Sequence, residues 1–259
     1  MKKITIKKIL QKKNKTSITC LAAYSKKIAQ IADKYCDIIL VGDSLGMVLY
    51  GMKTTREVKI ETMISHGKAV KNFTKKSLVV FDMPYKTYSN KLIAYKNAKT
   101  VMRLTKCDAI KLEGGKKIAN IIKYLTEKGI PVMGHIGFLP QSSTNFKVKG
   151  KNFIEKKQIL EDAKVISNSG VFAIVVECVV ESLAKKITKS VPVPTIGIGS
   201  SMHCDGQILV TDDMLGLSDF FPRFVKRYSN LGKIIEKCIK NYVQDVKMKR
   251  FPSSKNVYK

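Results

Sequence analysis

Residues 37–43 read Asp-Ile-Ile-Leu-Val-Gly-Asp, a run of strand-forming apolar residues that ends in a glycine and a carboxylate. Residues 77–82 (Ser-Leu-Val-Val-Phe-Asp) and 109–113 (Ala-Ile-Lys-Leu-Glu) have a similar form. Short, nearly continuous apolar runs are typical of strands that are buried on both faces of a parallel sheet. Each of these three runs therefore predicts a buried strand with an acidic side chain where the strand leaves the sheet.

Comparable runs recur along the chain and alternate with segments of helical periodicity. Strands are predicted over residues 17–21, 37–42, 77–81, 109–112, 131–134, 172–176, 193–197 and 207–210. Helices are predicted over 25–34, 60–72, 90–104, 116–128, 155–167, 181–189 and 230–247. This alternation favours an α/β fold, a closed (β/α)8 TIM barrel, with an open doubly wound sheet as the alternative. Because no Gly/Ser-rich or Pro-rich linker interrupts the chain, one domain is predicted over residues 1–259, ending in a C-terminal helix.

The composition is that of a globular protein, but the charge is not. Hydrophobic residues make up 44% of the chain and charged residues 26%, which excludes wholesale disorder and a coiled rod. A net charge of +28 raises the possibility of a nucleic-acid-binding protein. Only five of the 48 basic residues are arginine, the residue that pairs bidentately with phosphate and guanine, and the lysines are scattered. We therefore expect no specific nucleic-acid partner.

The six cysteines include no Cys-x-x-Cys pair, and several lie in apolar runs where a reduced thiol behaves as a small hydrophobic group. A reducing, cytoplasmic location is predicted. The first ten residues lack the apolar stretch of a secretion signal, and no apolar run approaches 18 residues, so no membrane association is expected.

Titratable side chains stand at the ends of five successive predicted strands, and one lysine lies inside a strand. The carboxyl ends of the strands in a parallel barrel open on one face, where catalytic residues gather. Carboxylates from neighbouring strands form a hard oxygen site suited to Mg²⁺, and no His/Cys cluster has the spacing of a zinc site. The residues concerned are Asp43, Asp82, Lys111, Glu113, His135 and Glu177.

Each of these residues also has a simpler interpretation. Asp43 or Asp82 can be the N-cap of the following helix, and His135 can be a hydrogen-bonded structural residue. Lys111 and Glu113 can form a plain ion pair. Independent caps need not recur on consecutive strands, so the recurrence favours a functional site.

Two glycine clusters are compatible with ligand binding but do not specify it. Residues 42–46 let the backbone approach a small anion to which Ser44 can donate a hydrogen bond. Residues 197–199 (Gly-Ile-Gly) follow the seventh strand, where barrels often bind phosphate, although tight packing explains them equally well. Neither cluster matches a dinucleotide fingerprint or a P-loop.

Several motifs, taken together and in order, are similar to those of one enzyme family. They lie at residues 37–48, 82–84, 111–115, 131–137, 176–178, 195–199 and 205–207. From about Ile18 to the C-terminal helix, the chain resembles ketopantoate hydroxymethyltransferase. It departs from the family pattern at Ser25, in a short loop over 141–150 and over 200–204, none of which is a predicted metal or base position.

The resemblance implies a barrel of the phosphoenolpyruvate/pyruvate-binding type, one Mg²⁺ per subunit and a homodecamer. The implied reaction transfers a hydroxymethyl group from 5,10-methylenetetrahydrofolate to 3-methyl-2-oxobutanoate through a Mg²⁺-stabilised enolate, giving 2-dehydropantoate for pantothenate biosynthesis. By position, the implied metal ligands are Asp43, Asp82 and Glu113, and the implied proton acceptor is Glu177. The implied substrate contacts are Asp43, Ser44, Asp82, Lys111 and His135. A Mg²⁺-dependent carbon–carbon lyase on the same barrel is the alternative enzyme, but the cysteine flanked by Lys and Gly-His of those lyases has no counterpart in this sequence.

Overall fold

A computed structural model of the chain describes residues 3–143, 145–219 and 222–258. It divides the chain into two compact units, Met1–Val210 and Thr211–Lys259. The first unit contains every strand of the barrel, and the second contains the C-terminal helix. The prediction of one domain over residues 1–259 stays a prediction.

The strands of the first unit form a closed barrel in which every neighbouring pair is parallel and the last strand pairs with the first. The closed (β/α)8 barrel is therefore confirmed, and the open-sheet alternative is wrong. The strands are β1 (Ile18–Ala22), β2 (Ile38–Val41), β3 (Leu78–Asp82), β4 (Ala109–Glu113), β5 (Val132–Gly137), β6 (Ala173–Glu177), β7 (Thr195–Ile198) and β8 (Gly206–Val210).

Helices follow the strands and cover the outside of the barrel. In chain order they are α1 (Ile6–Gln11), α2 (Lys26–Tyr35), α3 (Leu45–Tyr50), α4 (Ile60–Lys71), α5 (Lys91–Thr105), α6 (Ala119–Glu127), α7 (Phe153–Asn168) and α8 (Glu181–Ser190). Local sequence sets some of their starts: the side chain of Asn90 accepts hydrogen bonds from two amides of the first turn of α5, and Asn152 caps α7 in the same way. The short helices α1 and α3 were not predicted.

Strand alternation separates the buried residues into two layers. Because successive side chains of a strand point to opposite faces, Leu78 and Val80 of β3 lie inside the barrel with Ala109 of β4. Val79 and Ile110 point outward and pack with the helices. The same parity carries Asp82, Lys111, Glu113, His135 and Glu177 to the inside of the barrel, above its apolar interior.

No element was predicted before β1, but this segment contributes to the amino end of the barrel. Ile4 and Ile9 are buried and belong to the same apolar cluster as the barrel interior. The Ile4 amide donates to the carbonyl of Lys76, next to the start of β3. The helix α1 between these contacts is only six residues long and rich in lysine, so its sequence carries little helical periodicity.

The second unit contains α9 (Thr211–Leu215) and α10 (Leu231–Lys247). Helix α10 confirms the predicted C-terminal helix, and the side chain of Asn230 caps it by accepting a hydrogen bond from the amide of Lys233. Over residues 3–143, 145–219 and 222–258, the helices lack the combination of length and apolar character that a membrane crossing needs.

Candidate active site

The register of the barrel determines which polar side chains meet at its carboxyl end. Asp82 lies opposite Lys111 in the β3–β4 pair, and Glu113 lies opposite His135 in the β4–β5 pair. His135 is paired with Val175, so Glu177 is its diagonal neighbour two residues further along β6. Paired and diagonal neighbours on one face of a sheet are within side-chain reach. The predicted site residues are therefore brought together on the inner face.

An acidic cluster, defined here as Asp43, Asp82 and Glu113, surrounds the ammonium group of Lys111. Lys111 Nζ lies 2.8 and 2.7 Å from the two carboxylate oxygens of Asp82 and 3.8 Å from Oε1 of Glu113. Asp43 follows β2, and its amide N lies 3.4 Å from Oδ2 of Asp82. All four residues are 5% exposed or less. Three carboxylates therefore lie around the ammonium group of a single lysine.

The proximity of the carboxylates to one another contributes to raised pKa values of the two aspartates. Burial, reinforced by the charges of Asp82 and Glu113, raises the pKa of Asp43 well above its usual range. Burial and the charge of Glu113 also raise the pKa of Asp82, although Lys111 opposes the shift. The folded protein thus holds both carboxylates in an environment that disfavours their charged forms.

The pKa values of Lys111 and Glu113 are shifted so that the charged form of each group is favoured. Burial alone would lower the pKa of Lys111, but the charges of Asp82, Glu113 and Asp43 outweigh it and raise that pKa. Burial would likewise raise the pKa of Glu113, and the charge and hydrogen bond of His135 together with Lys111 lower it instead. Both groups remain charged at neutral pH.

His135 lies between two carboxylates. Its Nδ1 is 3.4 Å from Oε1 of Glu113, and its Nε2 is 3.1 Å from Oε2 of Glu177. Burial and the charge of Lys111 disfavour the imidazolium, but Glu113 and Glu177 outweigh them and raise the pKa of His135 to about 9. The imidazole is fully buried, whereas the Glu177 side chain remains 16% exposed. Glu177 is therefore the carboxylate of this pair that solvent or a substrate can reach.

A glutamine that was not among the predicted site residues connects the acidic cluster to the surrounding loops. The side-chain amide of Gln141 donates to Oδ2 of Asp43 at 2.8 Å, and its backbone amide donates to Oε2 of Glu113 at 3.0 Å. Its side-chain carbonyl accepts a hydrogen bond from the hydroxyl of Tyr88, and its backbone carbonyl accepts one from Nε of Arg56. Gln141 is 1% exposed, although it lies in the loop after β5.

Ser44 is half-buried beside the cluster. Its hydroxyl lies 2.7 Å from the hydroxyl of Tyr24, and the backbone carbonyl of Tyr24 is 2.7 Å from Nδ1 of His66. Ser25, which departs from the family pattern, occupies the N-cap position of α2 and makes no side-chain capping bond. Tyr24 rather than Ser25 therefore positions the predicted substrate contact Ser44.

The simpler interpretations of the aspartates do not describe their contacts. Helix α3 has Ser44 at its N-cap position and α5 is capped by Asn90, while the carboxylates of Asp43 and Asp82 accept hydrogen bonds from Gln141 and Lys111. The strands also run further than predicted, since Asp82 ends β3 rather than following it, and His135 lies within β5.

The donor chemistry of the cluster suits a hard divalent cation, although the carboxylate oxygens are engaged by hydrogen-bond donors. Lys111 contacts both oxygens of Asp82, and Gln141 contacts one oxygen each of Asp43 and Glu113. Over the described parts of the chain, no three His, Cys, Asp or Glu side chains are arranged as a preformed metal site. The carboxylate oxygens of the cluster nevertheless match the ligands that Mg²⁺ requires.

Comparison with known proteins identifies the family. The family model described as ketopantoate hydroxymethyltransferase matches residues 3–254. The chain belongs to this family. It is 57% identical to the 3-methyl-2-oxobutanoate hydroxymethyltransferase of Pelagibacter ubique (strain HTCC1062) over 255 residues, which covers 97% of this chain and 99% of that protein. The enzyme of the same name from Rhizobium etli is 47% identical over 263 residues, covering 100% and 96% of the two chains. This family membership confirms the resemblance and makes the chain a hydroxymethyltransferase of pantothenate biosynthesis.

More distant structures share the fold alone. A phosphonopyruvate hydrolase, solved in complex with oxalate and Mg²⁺, superposes with a TM-score of 0.63 at 11% identity, covering 97% of this chain and 93% of that chain. A 2,3-dimethylmalate lyase of the PEP mutase/isocitrate lyase superfamily superposes with a TM-score of 0.63 at 10% identity, covering 97% and 87%. These similarities confirm the (β/α)8 barrel of the ketopantoate hydroxymethyltransferase chain.

Proposed function

We propose that this hydroxymethyltransferase transfers a one-carbon unit from 5,10-methylenetetrahydrofolate to 3-methyl-2-oxobutanoate, giving 2-dehydropantoate, with one Mg²⁺ per subunit. The single observation that carries the proposal is the inner face of the barrel at its carboxyl end. There, three buried carboxylates and a lysine lie next to a fourth carboxylate, Glu177, that is still accessible. This arrangement combines a cation site with a proton acceptor.

Asp43, Asp82 and Glu113 would hold the ion. Their carboxylate oxygens suit a divalent cation, and release of one Asp82 oxygen by Lys111 would free a ligand for it. When bound, Mg²⁺ supplies a positive charge close to the keto oxygen of the oxoacid, where negative charge develops as the C3 proton leaves.

Lys111, Ser44, Asp82 and His135 are proposed to bind and orient the oxoacid, together with Asp43. The raised pKa of Lys111 keeps it cationic, so it can pair with the substrate carboxylate. Ser44, whose hydroxyl is bonded to Tyr24, can donate to the same anion. The buried imidazolium of His135 adds a further positive charge on the β5 side of the pocket.

Glu177 is proposed as the base. Its carboxylate takes the proton from C3 of the oxoacid, and the electron pair of that C–H bond becomes the nucleophile of the enolate. Water opens both carbon–nitrogen bonds of the donor's methylene group, which releases tetrahydrofolate and leaves the one-carbon unit at the oxidation level of formaldehyde. C3 forms its new bond to this carbon, and the oxygen takes up the proton held by Glu177 and becomes the hydroxyl group of the product. Nε2 of His135 lies 3.1 Å from Oε2 of Glu177, so the imidazole can hold this carboxylate in position for the proton transfer.

The proposal is tested by measuring 2-dehydropantoate formation from 3-methyl-2-oxobutanoate and 5,10-methylenetetrahydrofolate, with and without a chelator. Product that forms equally well in the presence of the chelator contradicts the metal assignment. In a second measurement, Glu177→Gln should still bind Mg²⁺ and the oxoacid but should no longer exchange the C3 proton in D₂O. Exchange at the wild-type rate would assign the base to another residue.

The proposal extends to assembly and location. A homodecamer is proposed because the family resemblance implies it. A cytoplasmic location is proposed because all six cysteines are free thiols and five of them are buried.

A further inference from the structure

Gln141 makes a hydrogen bond with each of its polar groups. Its side-chain nitrogen donates to Oδ2 of Asp43 at 2.8 Å and to the backbone carbonyl of Met83 at 3.0 Å. Its side-chain oxygen accepts from Tyr88, its backbone amide donates to Glu113, and its backbone carbonyl accepts from Arg56. Buried polar groups require hydrogen-bond partners, and in Gln141 two of these partners are carboxylates of the acidic cluster.

The chemistry of these partners leaves one orientation for the amide. The Asp43 carboxylate and the Met83 carbonyl are acceptors, so they require the nitrogen, and the hydroxyl of Tyr88 must then donate to the oxygen. Turning the amide over would place its oxygen against two acceptors and its nitrogen against a group that is already well placed to donate. The Asp43 carboxylate and the Met83 carbonyl therefore determine which atom of Gln141 faces the acidic cluster, and the hydrogen bond from Tyr88 to the oxygen reinforces this orientation.

The partners of Gln141 come from widely separated parts of the sequence. Asp43 follows β2, Glu113 ends β4, Arg56 lies in the 3-10 turn Thr55–Glu57, and Tyr88 lies in the loop between β3 and α5. Gln141 itself is in the loop after β5. One residue thus ties loops at the carboxyl end of the barrel to two carboxylates of the acidic cluster, 70 residues apart in the chain.

We infer that Gln141 is a positioning residue for the cation site: it fixes one oxygen of Asp43 and one oxygen of Glu113, so that the remaining oxygens are held in place for the ion. Tyr88 supports it by orienting the amide. The inference rests on the proposed function, because it assumes that the acidic cluster binds Mg²⁺. Groups that orient metal ligands through hydrogen bonds change metal affinity about 10- to 100-fold when they are removed.

The test uses the full-length protein and measures Mg²⁺ binding alone by isothermal titration calorimetry. Gln141→Met keeps the length of the side chain and removes the amide, and we expect the Kd for Mg²⁺ to rise about 10- to 100-fold. Tyr88→Phe removes only the hydroxyl and should raise the Kd by a smaller factor. Ser142→Ala, at an exposed side chain in the same loop, is the matched control and should leave the Kd unchanged.

The steady-state constants provide a second readout that a purely structural role would not move. In Gln141→Met the Mg²⁺ concentration for half-maximal rate should rise, whereas the rate at saturating Mg²⁺ should fall by a smaller factor. A Kd within twofold of the wild type in both Gln141→Met and Tyr88→Phe overturns the inference, even if the variants unfold more readily. If the wild-type protein itself binds no Mg²⁺, the proposed cation site fails first, and this result is distinguishable from unchanged binding in the variants.

Discussion

The pKa values of aspartates at the two ends of the barrel are shifted in opposite directions. At the carboxyl end, Asp43 and Asp82 are crowded by other carboxylates, and burial together with like charge raises the pKa of each. At the amino end, Asp33, Asp108 and Asp205 have lowered pKa values although burial opposes the shift. The residue type is the same, so the difference comes from the surroundings: the two aspartates at the carboxyl end are fully buried, whereas the three at the amino end are partly buried and have different neighbours.

The neighbours at the amino end are hydrogen-bond donors. Asp33 accepts from three consecutive amides that precede β3, and Asp108 accepts from the amide of Val79 and from Lys71. Asp205 accepts from the amide of Thr195 at 2.8 Å and from Lys13 at 2.9 Å. These bonds connect the segment that follows α1, and helices α2 and α4, to the starts of the strands. Hydrogen bonds to a charged acceptor are stronger than those between neutral groups.

The carboxylates at the two ends of the barrel therefore have different roles. Carboxylates at the amino end stabilise the fold because each is matched to donors of the protein itself. Carboxylates at the carboxyl end remain under-compensated, which is unfavourable for folding and favourable for binding a cation. Residues at the carboxyl face of such barrels serve activity, and those at the opposite face serve stability.

The largest expected effect comes from Asp43→Asn. This substitution removes a proposed metal ligand and keeps the shape, so turnover should fall on the order of 1,000-fold, or about 4 kcal/mol. Stability should not fall, because the substitution also removes a charge that burial and the charges of Asp82 and Glu113 disfavour. Turnover and chemical denaturation without Mg²⁺ measure the two effects.

Added Mg²⁺ provides the control for this variant. It should stabilise the wild type against denaturant through linkage, and should stabilise Asp43→Asn much less. A variant that keeps its activity, or that unfolds far more readily than the wild type without metal, would place Asp43 with the stabilising carboxylates of the other end.

The next largest effect is expected for Asp205→Asn, which should lower stability and leave substrate and Mg²⁺ binding unchanged. The change removes charge from a carboxylate that accepts hydrogen bonds from Thr195 and Lys13, so the free energy of unfolding should fall by about 2–3 kcal/mol. The KM for the oxoacid and the affinity for Mg²⁺ should stay at wild-type values, because the substituted residue lies at the opposite end of the barrel. A changed Mg²⁺ affinity in a variant that is fully folded would contradict the division between the ends.

The cluster of titratable residues at the carboxyl end could largely be predicted from the sequence. Short, nearly continuous apolar runs identify the strands, and titratable residues at the ends of successive strands predict that these side chains meet at one face of a barrel. Family resemblance then assigns roles to them. The strand ends were less predictable, because β5 reaches Gly137 only through its pairing with Glu177 of β6, a tertiary contact.

Gln141, Tyr88 and Arg56 could not be predicted in the same way. They lie in loops, where no periodicity relates one residue to the next, and their contacts depend on how three separate segments fold over the barrel. The available signal was the single residue Gln141 at the start of the loop over 141–150, and a lone glutamine predicts nothing. The amino-end aspartates were not predicted, because the signal was a titratable residue that follows a strand. Asp108 and Asp205 precede strands, and Asp33 lies in a helix.

A smaller effect is expected in the pH dependence of stability without metal. The lowered pKa of Asp205 contributes stability above the unfolded value of 3.8, and this contribution is lost as the pH falls through the lower, folded value. The difference between wild type and Asp205→Asn should therefore shrink between about pH 5 and pH 2.

Asp43 should behave with the opposite sign in the same experiment. Its raised pKa means that the unfavourable charge is present above the folded value and disappears as the pH falls through it. The advantage of Asp43→Asn over the wild type should accordingly vanish on acidification. Urea denaturation at several pH values measures both differences, and parallel curves for the two variants would contradict the contrast.

The smallest effect is expected for an ion pair that has similar geometry but is exposed. Lys116 Nζ lies 2.7 Å from Oε1 of Glu161, much like the 2.9 Å between Lys13 and Asp205, but about half or more of each side chain is exposed. Solvent screens such a pair, so Glu161→Gln should leave both the denaturation midpoint and the Mg²⁺ affinity unchanged. A shift comparable with that of Asp205→Asn would mean that charge pairing alone, rather than burial with backbone donors, distinguishes the stabilising carboxylates.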